Sequence, residues 1–130
     1  MEDSIFTKII KGEIPCHKVY EDDNTIAFLD IAPYTAGHTL VVSKLQVDHL
    51  WDLQPELYAH LMNVVGRVAE RQRKILKPIR VGMLLEGFAV PHAHVHVFPM
   101  NEGIEATIAH IIPVPTTQEL AAMAKKLRIN

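Results

Sequence analysis

The segment from residue 92 to residue 98 constrains the fold most, because histidines and apolar residues alternate strictly along it. The histidines are His92, His94 and His96. Side chains two positions apart on a β-strand share one face, so this pattern predicts a strand with an imidazole face and an apolar face. The apolar face is expected to be the core side. Its residues are Ala93, Val95 and Val97.

Four further segments have the short apolar or alternating patterns that are typical of β-strands. The turn-prone tract Asp22-Asp23-Asn24 separates the first two, which indicates a hairpin. The four segments are residues 17–21, 25–30, 39–43 and 80–86.

Three helices are predicted from apolar spacing and from residues suited to helix ends. A short helix covers about residues 4–13, and a long one covers about 55–77. A C-terminal helix is expected over about 116–128, where Thr116 and Glu119 have the spacing of a capping box. The order of elements shows no clear alternation of strand, helix and strand. It predicts an α+β fold in which an antiparallel five-stranded sheet carries its helices on one side.

Length and composition favour one globular domain over residues 1–130, without an internal disulfide. The 130-residue chain is 48% hydrophobic, has a formal net charge of −2 and contains one cysteine. Nothing in this charge balance suggests binding to nucleic acid or to a membrane surface. No targeting signal is recognisable at the start, and a single free thiol is compatible with the reducing cytoplasm.

The imidazole face is the candidate functional site. Neighbouring positions on one strand face lie about 6.5–7 Å apart, so three imidazoles can surround a group the size of a phosphate. Neutral imidazole can attack or accept a proton, and imidazolium can donate hydrogen bonds to anionic oxygens. A zinc site is the alternative, although the segment itself contains no carboxylate or cysteine. Four other histidines have no such surroundings and are interpreted as ordinary residues: His17, His49, His60 and His110.

Residues 92–98 resemble the His-φ-His-φ-His-φ-φ signature of the histidine triad (HIT) family of nucleotide-binding proteins and nucleotide hydrolases, where φ is an apolar residue. The similarity extends over about residues 4–100, which would form the core, with the C-terminal helix as an extension. The resemblance to the Hint-like branch implies a HIT-like fold, a homodimer and hydrolysis of nucleoside phosphoramidates or related nucleotidyl adducts. The substrate would be an AMP-like or GMP-like nucleotide, and no cofactor or metal is expected.

The resemblance also implies roles for individual residues. His94 would attack the α-phosphorus and form a nucleotidyl-histidine intermediate that water then cleaves. His92 and His96 would orient this histidine and contact phosphate oxygens, and His38 would be the fourth histidine of the site. Asp30 would hold the ribose hydroxyls. The expected apolar slot for the base comprises Ile5, Phe6, Ile9 and Ile31, and the loop before the triad would contribute Gly87 and Ala89.

Two departures from the family pattern qualify these expectations. Some members carry a zinc site with a Cys-x-x-Cys pair, where this chain has Ser4 and Thr7, and Gln46 stands nearest the position of a further histidine ligand. A structural zinc site is therefore not expected. The usual polar residues of the loop before the triad are also missing, since Leu85 and Phe88 occupy this stretch. A nucleotide-binding or partner-binding module with little turnover and a dinucleoside polyphosphate hydrolase remain alternatives.

Overall fold

The computed structural model describes residues 1–107 and 110–130, which contain three α-helices and five β-strands. The elements are, in chain order, α1 (Ile5–Ile10), β1 (Lys18–Glu21), β2 (Thr25–Leu29), β3 (Thr39–Ser43), α2 (Pro55–Leu76), β4 (Arg80–Leu84), β5 (His94–Met100) and α3 (Thr117–Leu127).

All strand pairs are antiparallel, and the order across the sheet is β1-β2-β3-β5-β4. The predicted five-stranded antiparallel sheet and α+β fold class are confirmed. Strand β5, which carries two of the three alternating histidines, lies between β3 and β4, with Val95 opposite Val41 of β3. The candidate site is therefore built on an interior strand rather than on an edge.

Local chemistry at the helix and turn ends agrees with the sequence. Ser4 caps α1, since its Oγ accepts a hydrogen bond from the Thr7 N–H at 3.0 Å. Thr116 and Glu119 form the expected capping box at the start of α3. In the hairpin turn, Asp22 Oδ1 accepts the N–H groups of the residues two and three positions later. Each contact satisfies backbone donors that the helix or hairpin leaves unpaired.

The bounds of the strands near the triad differ from those predicted. Strand β4 ends at Leu84 instead of residue 86, and β5 begins at His94, so His92 precedes the strand. The His92 N–H donates to the Val90 carbonyl at 2.9 Å, which closes a local turn. The Ala93 N–H donates to Val47, outside the sheet. The alternation of side chains between the two faces thus continues to His92, beyond the hydrogen-bonded part of β5. The N–H groups of His92 and Ala93 donate to loop residues instead.

The expectation that all helices lie on one side of the sheet is wrong. Helices α2 and α3 cover the face that carries Val41 and Val95, whose side chains are fully buried. Helix α1 lies on the other face, where Phe6 packs with apolar residues of β2 and β3. Both strands are buried along their whole length, so both faces of the sheet need cover. The apolar cluster under α1 contains Ile26, Phe28, Leu40 and Val42.

In the part of the chain that the structure describes, no helix combines the length and apolarity that crossing a membrane would require.

Candidate active site

Four histidines meet on the face of the sheet that α1 partly covers. His94 and His96 belong to β5, His92 precedes this strand, and His38 precedes β3. His38 and His92 are fully buried, while His94 and His96 are 6% and 7% exposed. The residues between these histidines point to the other face of the sheet. Ala93, Val95 and Val97 lie in the hydrophobic core on that face, as expected.

The His92 ring is held from two sides and has no nitrogen left for a substrate. Its Nε2 lies 2.6 Å from the Ser43 carbonyl oxygen, and its Nδ1 lies 2.6 Å from Ser4 Oγ. The expectation that this side chain contacts a phosphate oxygen is therefore not met. The main chain of His92 takes part instead, because its carbonyl oxygen lies 2.5 Å from His94 Nδ1.

The tautomer of His94 follows from this last contact. A carbonyl oxygen can only accept, so His94 Nδ1 must carry the proton that it donates. In the neutral ring, Nε2 then holds the lone pair. Phe6 packs edge-on against the same ring, with 4.9 Å between ring centroids. His94 is thus oriented by a main-chain acceptor and by an aromatic contact, and its neutral ring has the lone pair on Nε2.

A second hydrogen-bond chain sets the tautomers of His38 and His96. The Tyr34 N–H donates to His38 Nδ1 at 2.9 Å, so His38 carries its proton on Nε2. That Nε2 lies 2.9 Å from His96 Nδ1 and donates to it. The neutral His96 ring must therefore carry its own proton on Nε2, a buried group without a protein hydrogen-bond partner among the described residues. This chain presents an N–H donor at the surface of the site.

Burial keeps both of these rings uncharged. It lowers the pKa of His38 to about 3, with a further contribution from the charge of His96. Burial, followed by the charge of His94, lowers the pKa of His96 to about 4. At neutral pH, His96 is accordingly a neutral imidazole that donates from Nε2.

Most of the predicted nucleotide-binding residues line one cleft of about 300 Å³, which also borders His94 and His96. Gly87 is separate, since it lines a smaller cavity on the other side of His94 with Trp51 and Glu86. The predicted residues around the larger cleft are Ile5, Phe6, Ile9, Asp30, Ile31 and Ala89.

Asp30 is a carboxylate at the wall of this cleft. Its Oδ1 accepts the Ala32 N–H at 2.9 Å, and its Oδ2 lies 3.8 Å from His38 Nε2. Burial raises the pKa of Asp30. A carboxylate in this position can accept hydrogen bonds from two neighbouring hydroxyl groups.

Glu86 is a site residue that sequence reasoning missed. Its Oε1 lies 3.9 Å from His96 Nε2, and it borders both the large cleft and the small cavity. The residue stands ten positions before His96. It reaches the triad only because the turn between β4 and β5 reverses the chain, and no spacing rule reveals that contact.

Among the described residues, two groups of side chains are close enough to hold a metal ion, and His96 belongs to both. Ligand atoms of Glu86, His94 and His96 lie within 4.8 Å of one another, as do those of Asp30, His38 and His96. The tautomer chain places protons on Nε2 of His38 and His96, however, and an imidazole ligand must offer a lone pair. The hydrogen bonds of this site therefore leave neither His38 nor His96 a free lone pair for a metal ion.

A structural zinc ion does not fit the residues at the start of α1. Ser4 and Thr7 offer neutral hydroxyl groups, and Gln46 offers a neutral amide, whereas zinc prefers thiolate and imidazole ligands. His92 has no free ring nitrogen for an ion. These four side chains are joined by hydrogen bonds instead.

The fold and the site together define a class of protein. An antiparallel sheet places the His94 imidazole at the wall of an open cleft, where the neutral ring has its lone pair on Nε2. The same cleft is bordered by the N–H donor of His96, by the carboxylate of Asp30 and by an apolar slot. Such an arrangement suits a small molecule that combines a phosphate, hydroxyl groups and a flat apolar ring.

Comparison with known proteins identifies the family. The family model described as HIT domain matches residues 11–103. The chain belongs to the HIT family, which confirms the resemblance stated above.

Relatives with related sequences and structures cover most of the chain. Protein hit of Bacillus subtilis is 39% identical over 103 residues, which are 75% of this chain and 71% of that protein. Adenosine 5′-monophosphoramidase hnt1 of Schizosaccharomyces pombe is 36% identical over 73% of this chain and 72% of its own. A crystal structure of a Hit-like protein from Bartonella henselae, described as involved in cell-cycle regulation, superposes with a TM-score of 0.84. It is 34% identical and covers 98% of both chains.

Proposed function

We propose that this protein hydrolyses a nucleoside 5′-phosphoramidate or a related AMP-like or GMP-like adduct, with His94 as the nucleophile. The observation that carries the proposal is the orientation of His94, whose Nδ1–H donates to the His92 carbonyl, so that the lone pair of the neutral ring is on Nε2. The similarity to a yeast protein named as an adenosine 5′-monophosphoramidase supports the same reaction class.

In the first step, His94 Nε2 forms a bond to the α-phosphorus while the bond from phosphorus to the leaving nitrogen breaks. The departing nitrogen takes up a proton from water in the open cleft. His96 Nε2–H donates to a phosphate oxygen and stabilises the charge that develops there. We therefore propose phosphate binding for His96 and a positioning role for His92 and His38.

In the second step, water attacks the same phosphorus and the bond to His94 breaks. The proton that this water loses neutralises the hydroxide left in the first step, and the products are a nucleoside monophosphate and free imidazole. Covalent catalysis divides one difficult displacement into two, each with a positioned nucleophile. Asp30 would hold the ribose hydroxyls, and the slot formed by α1 and Ile31 would hold the base.

The direct test is a substrate panel with wild type, His94→Ala and His17→Ala. His17 serves as the control because it lines neither the large cleft nor the small cavity beside His94. Incubation with an AMP-amide, an acyl adenylate and a dinucleoside polyphosphate should show phosphoramidate turnover for wild type and the control only. Mass spectrometry after an acid-free quench should detect a nucleotidyl group on His94. Turnover retained by His94→Ala would refute the proposed nucleophile.

A second candidate is a nucleotide-binding module with little turnover. It is favoured by Leu85, Phe88 and Ala89, which are apolar at loop positions where the family often has polar side chains. Calorimetric binding of AMP without turnover of any panel member would support this alternative. A dinucleoside polyphosphate is less suited to the site, because no lysine or arginine lines the cleft among the described residues.

We further propose that the protein forms a homodimer through the β4 edge of the sheet. Strand β4 is paired on one side only, and the side chains of Ile79 and Met83 beside this edge are 68% and 62% exposed. Trp51, which is 67% exposed, lies in the same region and shares a groove with Met83. An unpaired edge with exposed apolar side chains is suited to a second copy.

A further inference from the structure

Four polar residues form a hydrogen-bonded group between the start of α1 and the triad, which we call the Ser4 cluster: Ser4, Thr7, Gln46 and His92. Gln46 Oε1 accepts from the Ser4 N–H at 3.0 Å and from Thr7 Oγ1 at 2.5 Å. Ser4 Oγ accepts the Thr7 N–H at 3.0 Å and lies 2.6 Å from His92 Nδ1. The cluster therefore joins segments that are 42 and 88 positions apart in the chain.

The direction of the hydrogen bonds in the cluster is determined by its carbonyl groups. The Ser43 carbonyl can only accept, so His92 Nε2 carries the proton. Burial lowers the pKa of His92, which keeps the ring neutral and leaves a lone pair on Nδ1. The Ser4 hydroxyl must then donate to Nδ1. Ser4 is the only residue of the cluster that contacts the His92 ring through a side-chain hydrogen bond among the described residues.

We propose that Ser4 is a positioning residue for the nucleophile and acts on His94 through His92. Ser4 and the Ser43 carbonyl hold the His92 ring from opposite nitrogens. The main-chain carbonyl of this same residue accepts the proton of His94 Nδ1. Ser4 does not touch the reacting atoms, and its effect is on how often the His94 lone pair faces the phosphorus.

The same cluster also holds the helix that forms the base slot. Phe6 of α1 packs against both rings, with centroid distances of 5.7 Å to His92 and 4.9 Å to His94. Because Ser4 caps this helix, one hydroxyl group fixes the start of α1 and the His92 ring together. Ser4 therefore contacts both the helix that forms the base slot and the histidine whose carbonyl binds His94.

The inference rests on the proposed hydrolase function and predicts a larger effect on kcat than on KM. Removing the hydroxyl leaves a buried lone pair on His92 without a donor and allows the ring to change its orientation. We expect Ser4→Ala to lower kcat about tenfold and to change KM less than threefold, since the substrate-contacting residues remain. Ser4→Thr keeps the hydroxyl and should recover most of kcat.

The matched control is Thr116→Ala, which removes the equivalent N-cap hydroxyl of α3. Thr116 Oγ1 accepts the Glu119 N–H at 3.1 Å, and Thr116 is absent from the cleft lining. Loss of a cap should destabilise both variants to a similar extent, but only Ser4→Ala should lose kcat. Ser4→Gly is the second variant, because glycine is tolerated at an N-cap and also lacks the hydroxyl. Equal kcat values for wild type, Ser4→Ala and Ser4→Gly would overturn the proposal.

Nitrogen NMR of the histidine rings tests the positioning role without turnover. Wild type should show His92 protonated at Nε2 and His94 protonated at Nδ1, and Ser4→Ala should alter the signals of both rings. Thr116→Ala should leave both unchanged. If wild type hydrolyses no substrate, the proposed function fails, yet these spectra still decide the Ser4 contact. Unchanged His94 signals in Ser4→Ala would refute positioning through His92.

Discussion

Acidification should destabilise this protein well above the pH at which its carboxylates titrate, because the site contains buried neutral histidines. The pKa values of His38 and His96 are about 3 and about 4 in the folded chain, against an ordinary value of about 6.5. As the pH falls below about 6.5, the unfolded chain binds protons that the folded chain does not. Stability from these two rings is therefore fully present above about pH 6.5 and declines toward pH 4 and 3.

The size of this loss of stability follows from the pH range between the unfolded and the folded pKa of each ring. Each pH unit between the unfolded and the folded pKa costs about 1.4 kcal/mol per ring. Between pH 6.5 and pH 5, His38 and His96 should each reduce the free energy of unfolding by about 2 kcal/mol. Replacing His38 by glutamine removes one titrating ring and should remove its share of the decrease, about 2 kcal/mol.

Urea unfolding followed by circular dichroism at pH 7, 6 and 5 measures this effect for wild type, His38→Gln and His49→Gln. His49 is the control because its side chain is mostly exposed. The control should follow the wild-type decrease, whereas His38→Gln should show a shallower one. A free energy of unfolding that stays level from pH 7 to pH 5, or the same slope in all three proteins, would contradict the reasoning.

Three further predictions concern binding, stability and assembly. Asp30→Ala should raise KM for an AMP-amide about tenfold with a smaller change in kcat, because the ribose acceptor is lost; an unchanged KM in steady-state kinetics would exclude this role. Asp22→Asn should lower the free energy of unfolding at pH 7 by about 1–2 kcal/mol. The pKa of Asp22 is lowered to about 2, because hydrogen bonds outweigh the opposing effect of burial; the donors are Tyr20, Asn24, His60 and Thr25. The difference in free energy of unfolding between wild type and Asp22→Asn should therefore shrink below pH 4 in urea titrations. Met83→Asp should give a monomer by light scattering where wild type gives a dimer, and a monomeric wild type would disprove the proposed β4 interface.

Periodicity and capping predicted much of the architecture, because both are local properties of the chain. The alternation around His94 and His96 correctly separated a site face from a core face, since strand parity depends only on sequence spacing. The hairpin at Asp22 and the capping box at Thr116 likewise depend on contacts within four residues. The resemblance supplied the cleft residues that composition alone leaves among ordinary core positions.

The sequence expectations failed where distant segments meet. The side of the sheet that α1 covers is decided by the packing of Phe6 on apolar residues of β2 and β3, and no local signal encodes it. Glu86 approaches His96 only through the turn between two strands. The role expected for His92 changed because Ser4 and Ser43, far away in the chain, hold both of its ring nitrogens.

Sequence spacing alone thus established a row of imidazoles opposite a core, since alternation on a strand requires nothing beyond neighbouring residues. The tertiary structure decided which nitrogen of each imidazole carries the proton. Hydrogen bonds from Tyr34 through His38 determine that His96 donates, and the main-chain carbonyl of His92 determines that His94 keeps its lone pair on Nε2. A proton on one ring nitrogen depends on the partner that the fold places beside the other, and that partner is not adjacent in the chain.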